Sequence, residues 1–370
     1  MTSTKAEVAI LGNGVGGFAC AARLARHGIR PLLIGRGLPV DRPPLTKAAL
    51  ADGRARLLSD QQRLAERGID RLEGHVDYAD LGAKRLRLDD GTEVEAQAIV
   101  LATGLRYGRP PIPGIELAHV NADPASLDAI AAALASGGRR VVVIGAGLIG
   151  TESAATLARA GHDVTVLDVL ERPLDRLHDP LPALGADALA TTGARFEGGV
   201  TIAGLRRDEE RVTVSCNLGP LTADLVLVAT GGTPFAPPGL AGSELRLPLE
   251  VDSALRVPEY ERVYGVGDLI VVPHARFGPI RFPHWDMAIG TGERAADAIA
   301  GVDGELDRLP YWWTDIGAHT FAEVGWADAA DEWVDEGGMR IGRDADGEPV
   351  AALVVDEPRR LREARALLGA

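Results

Sequence analysis

The sequence predicts an α/β protein: two copies of one strand–turn–helix–strand unit, interleaved along the chain, and a smaller α/β cap after them. Three observations carry this reading. Residues 8–34, VAILGNGVGGFACAARLARHGIRPLLI, return at 141–167 as VVVIGAGLIGTESAATLARAGHDVTVL, at a constant offset of 133. Each copy runs from a β-branched apolar stretch through a glycine-rich turn into a helix of small residues. Two further apolar runs, AIVLATG at 98–104 and LVLVATG at 225–231, end in the same Thr-Gly turn.

The apolar stretches are continuous rather than alternating, as expected for parallel strands buried on both faces. Small residues on the helices permit close packing against such a sheet. Gly28 and Gly161 then fit the left-handed position that ends a helix. VYGVGD (263–268) reads as another strand, ending at Gly-Asp, and residues 282–301 begin irregular and become helical. The last segment opens YWWTD, holds short strands near 321–326, 339–342 and 349–355, and closes on a helix. The expected units are therefore 1–115 with 235–308, an inserted 116–234, and a cap at 309–370.

The glycine turns carry the chemistry. Gly12, Gly14, Gly16 and Gly17 in the first copy, and Gly145, Gly147 and Gly150 in the second, follow the G-x-G-x-x-G pattern. Such glycines allow a tight turn, close backbone approach to a pyrophosphate, and close helix–strand packing. The helix N-terminus offers unpaired N–H groups to the phosphates. One such match is weak, but two inside complete βαβ units predict two Rossmann-like dinucleotide sites. Asp168 stands 23 residues after Gly145, at the end of the next strand. A carboxylate there accepts from both ribose hydroxyls and repels a 2′-phosphate, which favours NADH over NADPH. Arg172, four residues on, works against that preference.

Composition narrows the class. The 370 residues suit two or three domains. The net charge of −14 argues against a nucleic-acid partner. Half of it falls in 307–370, where 14 acids meet 7 arginines; the run from Asp328 to Glu336 reads as a solvated loop. Cys20 and Cys216 are the two cysteines, far apart, so neither a disulfide framework nor a redox dithiol is expected. Both read as small packing residues, in a helix and a strand. The eight histidines show no metal-ligand spacing. No apolar stretch of about 18 residues suggests a membrane span, and no secretory leader precedes the first strand, so a cytoplasmic protein is expected.

At this point the residues resemble a family. Arg42-Pro43-Pro44-Leu45-Thr46-Lys47 is similar to the R-P-P-L-S-K segment of the FAD-dependent, NADH-using ferredoxin reductases of bacterial oxygenase systems, the putidaredoxin-reductase-like group. VVVIGAGLIGTESAA, VYGVGDLIVVP, PYWWTD and VVDEPRRLREARALL also resemble family segments. The likeness runs nearly end to end and implies the pyridine nucleotide-disulfide oxidoreductase fold without the redox disulfide. It implies that Gly12, Gly14, Gly16 and Gly17 face the FAD pyrophosphate, that Val76 meets the adenine through its backbone, and that Arg42 and Arg109 contact FAD. Arg109 follows the Ala102-Thr103-Gly104 turn; a one-residue slip would put Gly108 there instead. Asp268 would bond the ribityl chain, Trp285 would lie near the flavin, and Trp313 would cover it. Ile149 and Gly231 would line the nicotinamide nucleotide site.

Lys47 is one of 3 lysines beside 36 arginines. By resemblance it lies beside the flavin and pairs with Glu152, and the two form the expected catalytic pair. A compact ammonium there stabilises negative charge on the reduced ring, and the carboxylate keeps it placed.

The chain also departs from the family pattern. Arg36-Gly37 stands where an acid usually holds the FAD ribose, so Arg36 marks a different adenosine contact. The cap is short and acidic, and like charge impedes docking of an acidic ferredoxin. Arg54, Arg56, Arg63 and Arg67 offer a candidate basic face. The expected activity is hydride transfer from NADH to FAD, then single electrons to an iron–sulfur ferredoxin, by a monomer or homodimer. Two alternatives stay open: direct reduction of oxygen, a quinone or a small metabolite, and an NADH-sensing flavoprotein with an interaction role.

Overall fold

The structure, a computed structural model, describes residues 3–237, 240 and 245–369; the other positions of the expected units lie outside the described residues. The first repeat forms β1 (Ser3–Leu11), α1 (Val15–Arg26) and β2 (Pro31–Gly35). The second forms β3 (Arg140–Ile144), α2 (Leu148–Arg159) and β4 (Asp163–Leu167). Both pairs of strands are parallel, with Ala9 beside Leu32 and Val142 beside Thr165. Val8, Ala9 and Ile10 are fully buried, as the continuous apolar run requires.

The repeat extends to the whole sheets. In the first, the order is Asp70–Glu73, β2, β1, Glu93–Leu101, and the C-terminal half of that last strand pairs with Val263–Gly265. In the second, the order is Arg195–Glu197, β4, β3, Leu225–Val228, His119–Val120. Each Thr-Gly strand thus lies beside the first strand of its unit; the first sheet continues into an antiparallel ribbon (Val76–Asp80 with Arg85–Leu88), whereas Ile202–Asp208, Arg211–Cys216 and Gly219–Ala223 form a separate antiparallel sheet in the second unit. The two crossings between the units pair with each other, Leu105–Tyr107 against Gly232–Pro234.

After α3 (Trp285–Ile299), the cap is a five-stranded antiparallel sheet. Its strands are β5 (Tyr311–Ile316), β6 (His319–Gly325), β7 (Glu332–Glu336), β8 (Met339–Arg343) and β9 (Pro349–Val355), in the order β5-β6-β9-β8-β7. The acidic run is therefore not all loop: Glu332, Asp335 and Glu336 lie in the edge strand β7. Exposed charges suit an edge strand, because they discourage pairing with another chain. Cys20 is fully buried in α1, where burial pushes its thiol pKa up, and Cys216 lies in strand Arg211–Cys216. Among the described residues, no helix is long and apolar enough to cross a membrane.

The glycines divide into packed and open ones. A Cβ on Gly12 would lie 2.2 Å from the Ala102 carbonyl oxygen, and one on Gly145 2.6 Å from that of Ala229. On Gly17 and Gly150 it would lie 2.0 and 1.9 Å from the carbonyl oxygens of Gly12 and Gly145. At Gly14 and Gly147 a Cβ would meet nothing within 4 Å. Gly150→Ala should therefore destabilise the fold by roughly 1–3 kcal/mol through overpacking, read as a lowered Tm. Gly147→Ala should leave Tm unchanged.

Candidate active site

Lys47 follows a short 3-10 turn, Pro43–Thr46, whose two prolines preset the backbone. That turn brings Thr46 and Lys47 against the first turns of α2, where Glu152 is 6% exposed. Glu152 accepts from the Thr46 hydroxyl through one oxygen. Its other oxygen accepts from Lys47 Nζ, from Thr314 Oγ1 at 3.1 Å and from the Asp315 N–H at 2.8 Å. Lys47 Nζ also lies 3.0 Å from Asp315 Oδ2. Burial pulls the lysine pKa below its ordinary value, and the Asp315 charge opposes that pull. Three separate parts of the fold thus converge on one carboxylate.

This cluster forms one wall of a cavity of about 620 Å³ between the two units. Arg42, Tyr107 and Asp268 line the side of the first unit, and Trp285 and Trp313 stand over it. The indole rings meet edge to face at 6.0 Å, and Trp285 Nε1 donates to Asp41 at 2.9 Å. Tyr311 stacks on Trp313 at 5.7 Å. On the opposite side lie Gly145, Gly147, Ile149, Asp168 and Gly231.

Asp268 sits in the single-turn helix after Val263–Gly265. Its Oδ1 is buried with no hydrogen-bond partner. Burial raises its pKa to about 6, against the pull of Arg42 and Arg281. A buried, unpaired carboxylate oxygen facing a cavity is costly unless a donor arrives. A polyol hydroxyl of a bound cofactor supplies such a donor, and the open face of Gly14 leaves room for a diphosphate at the first turn. The residues present therefore fit FAD.

Asp168 is fixed by its own unit. Its Oδ2 accepts from the Ala146 N–H at 2.5 Å and its Oδ1 from the Leu170 N–H at 2.9 Å. Arg172 is drawn away from it: Nε donates to Asp175 at 2.7 Å, and Nη1 lies 3.4 Å from Asp179.

Other expected residues lie elsewhere. Gly16 is buried where α1 meets α3, and a Cβ on it would come 3.1 Å from the Ala288 carbonyl oxygen. Ala102 packs on the first turn, Thr103 Oγ1 donates to the Phe235 carbonyl, and Gly104 takes a left-handed φ of 62°. Val76 is a buried strand residue. The Arg36 guanidinium is exposed, 3.4 Å from Asp89, while the Arg36 and Gly37 carbonyls accept from Asn13 Nδ2. Arg109 donates twice to the Ala118 carbonyl and does not line the cavity. Among the described residues, no group of side chains is arranged to hold a metal ion.

Sequence reasoning missed Thr46, Tyr107, Thr314 and Asp315. Thr46 and Asp315 lie within the motifs RPPLTK and YWWTD, so a signal existed. Tyr107 had none, because its place follows from the pairing of the two crossings.

Residues 6–292 match the model of the pyridine nucleotide-disulphide oxidoreductase family. The chain is 33% identical to the ferredoxin reductase component of chlorobenzene dioxygenase from Cupriavidus sp. (strain PS12), over 98% of this chain and 93% of that one. It is 31% identical to the ferredoxin--NAD(+) reductase subunit of the benzene 1,2-dioxygenase system of Pseudomonas putida, over 98% and 92%. Among solved structures it superposes on the ferredoxin reductase for the CYP199A2 system from Rhodopseudomonas palustris with a TM-score of 0.86 at 26% identity, covering 94% of this chain and 91% of that one. The covalent putidaredoxin reductase–putidaredoxin complex shares the fold at a TM-score of 0.88 and 23% identity, over 100% and 94%. The family uses FAD and a nicotinamide nucleotide, and this chain belongs to it: the pyridine nucleotide-disulphide oxidoreductases.

Proposed function

We propose that this protein is a ferredoxin reductase that takes a hydride from NADH and delivers electrons singly to an iron–sulfur ferredoxin of an oxygenase system, in the cytoplasm. The observation that carries the reading is the cavity itself, lined by Val15 of the first glycine turn, by Gly145, Gly147 and Ile149 of the second, and by Lys47 and Glu152. FAD, when bound, supplies the exchange between two-electron and one-electron chemistry. The first unit holds it, with the backbone of the first glycine turn at the diphosphate and Asp268 at the polyol chain. Arg42 faces it from the cavity wall, and Arg36 stands where the usual ribose acid is missing.

The second unit binds the nicotinamide nucleotide at Gly145, Gly147, Ile149 and Gly231. Asp168 takes the adenosine ribose, and Arg172 is already engaged by Asp175 and Asp179, which favours NADH over NADPH. Lys47 presents positive charge to the reacting ring, while Glu152 and Asp315 hold its Nζ in place. Trp285 and Trp313 exclude water from the same region.

The ferredoxin acceptor is supported by the names of the relatives. Both cysteines lie outside the cavity, so no dithiol stands between the flavin and the acceptor. The arginine face is weaker than its sequence suggests. Arg56 pairs with Asp52, Arg63 with Asp60, and Arg67 covers the Phe18 ring.

Steady-state oxidation of nucleotide tests the assignment. Turnover should be faster with NADH than with NADPH, and an iron–sulfur ferredoxin should accelerate it under exclusion of oxygen. Acceleration by oxygen or a quinone, with none by any ferredoxin, contradicts the reading.

Asp268 gives a second test. Its ionised form is the better acceptor for a cofactor hydroxyl, so cofactor uptake displaces the proton bound below about pH 6. FAD affinity of the apoprotein should fall as pH drops through about 6 and stay level above it. Asp268→Asn should weaken FAD binding by roughly 10-fold or more and abolish that pH dependence, measured by fluorescence titration.

A further inference from the structure

The segment from Asp168 to Pro180 joins β4 to helix Leu181–Ala190 and borders the second glycine turn. Its near end is tied down within its own unit. Asp168 accepts from Ala146 and Leu170, and the Leu174 N–H donates to the Ala146 carbonyl at 2.8 Å. Leu174 holds a φ of 59°, a left-handed conformation that leucine rarely adopts without surrounding constraint.

The far end crosses to the cap. His178 Nε2 contacts Glu323 Oε2 of β6, and its Nδ1 lies 3.0 Å from the Asp179 carbonyl oxygen. The imidazole stacks on Trp333 of β7 with centroids 4.1 Å apart and planes 11° from parallel. Glu323 is 4% exposed, and its other oxygen accepts the Trp312 indole N–H at 3.0 Å. Trp312 lines the cavity and lies 6.3 Å from the His284 ring. Contacts therefore run unbroken from the nucleotide loop to the cavity wall.

Both imidazole nitrogens face oxygen acceptors. Neutral imidazole carries one N–H, so only the imidazolium satisfies both. Burial lowers the His178 pKa, but the Glu323 hydrogen bond and charge, with the Asp179 carbonyl, outweigh it and leave the value raised. The Arg340 charge on β8 opposes the imidazolium, and Arg340 is itself 3.8 Å from Asp335 of β7. The Asp179 carboxylate is turned towards Arg172.

We propose that His178, Glu323 and Trp312 form a latch that fixes the nucleotide loop against the C-terminal sheet, with His178 a positioning residue for the incoming nicotinamide nucleotide. The latch rests on the nucleotide assignment made above and adds a residue outside the binding surface. Its pH sense follows from proton count. The charged latch is complete below the ordinary histidine pKa of about 6.5, and is lost as pH rises through the raised value. Loss frees the far half of the loop, whose Asp175, Arg176 and Leu177 line the cavity, so nucleotide affinity falls with rising pH.

The test is calorimetric titration of the FAD-loaded enzyme with NAD⁺, which binds without turnover, from pH 6 to pH 9. The wild-type Kd should rise by roughly 5-fold or more across that range, an ordinary size for coupling between sites. His178→Asn and Glu323→Gln should bind NAD⁺ at every pH with the weak, high-pH affinity of wild type. With NADH, KM should rise in both while kcat and the visible flavin spectrum stay within about twofold, as for lost uniform binding. Trp312→Phe keeps an aromatic side chain and removes a donor from Glu323, so it serves if the charge variants do not fold. With one competing donor removed, Glu323 should hold the imidazolium more tightly and move the pH midpoint upward. A pH dependence that persists in His178→Asn or Glu323→Gln, or an unmoved midpoint in Trp312→Phe, overturns the latch alone. Absence of NAD⁺ and NADH binding to wild type at every pH overturns the nucleotide assignment as well.

Discussion

The structure depends on one buried carboxylate. Glu152 lies in α2, where an ionised group without partners would cost several kcal/mol. Its four donors come from two places outside α2: Thr46 and Lys47 from the first unit, Thr314 Oγ1 and the Asp315 N–H from β5. Satisfying that charge forces the RPPLTK turn, the second glycine turn and the cap into fixed positions. The cavity exists because those three surfaces cannot separate without stranding the carboxylate. The same arrangement leaves Lys47 held by two acids on the cavity wall.

A division of labour follows. The repeated βαβ units provide two equivalent platforms, and their glycines split between those that let chain segments pack and those that leave space. Gly17 and Gly150 belong to the first kind, and Gly14 and Gly147 to the second. The repeat alone does not distinguish the sites. What separates them is the surroundings: Asp268 with its unpaired oxygen on one side, and Asp168 with Arg172 drawn off by two acids on the other. The cap reaches both units, through Trp313 at the cavity and through the His178–Glu323 contact to the segment after β4.

Much of this was legible in the sequence because local signals and tertiary demands agreed. The strands at 8–11 and 141–144 are buried on both faces and could not be anything but apolar runs. Gly28 and Gly161 end their helices with φ of 76° and 89°. Residues whose roles come from pairing distant segments were less legible. Tyr107 enters the cavity because two crossings, 127 positions apart at Leu105 and Gly232, pair as strands. Arg109 carries a family-like position, yet its guanidinium is committed to the Ala118 carbonyl. The acidic run around Glu332 looked like loop because edge strands tolerate charge that central strands do not. The arginines at 54–67 looked like a basic face because sequence spacing does not show that Asp52 and Asp60 are turned towards two of them.

The most direct measurement of the central claim is the visible spectrum of the purified protein during anaerobic titration with NADH. The account predicts about one FAD per chain, retained through purification or restored on adding the cofactor, and loss of its oxidised absorbance after about one equivalent of NADH, since one hydride carries both electrons. Protein that carries no flavin and cannot be reconstituted, or bound flavin that NADH leaves oxidised, would contradict it.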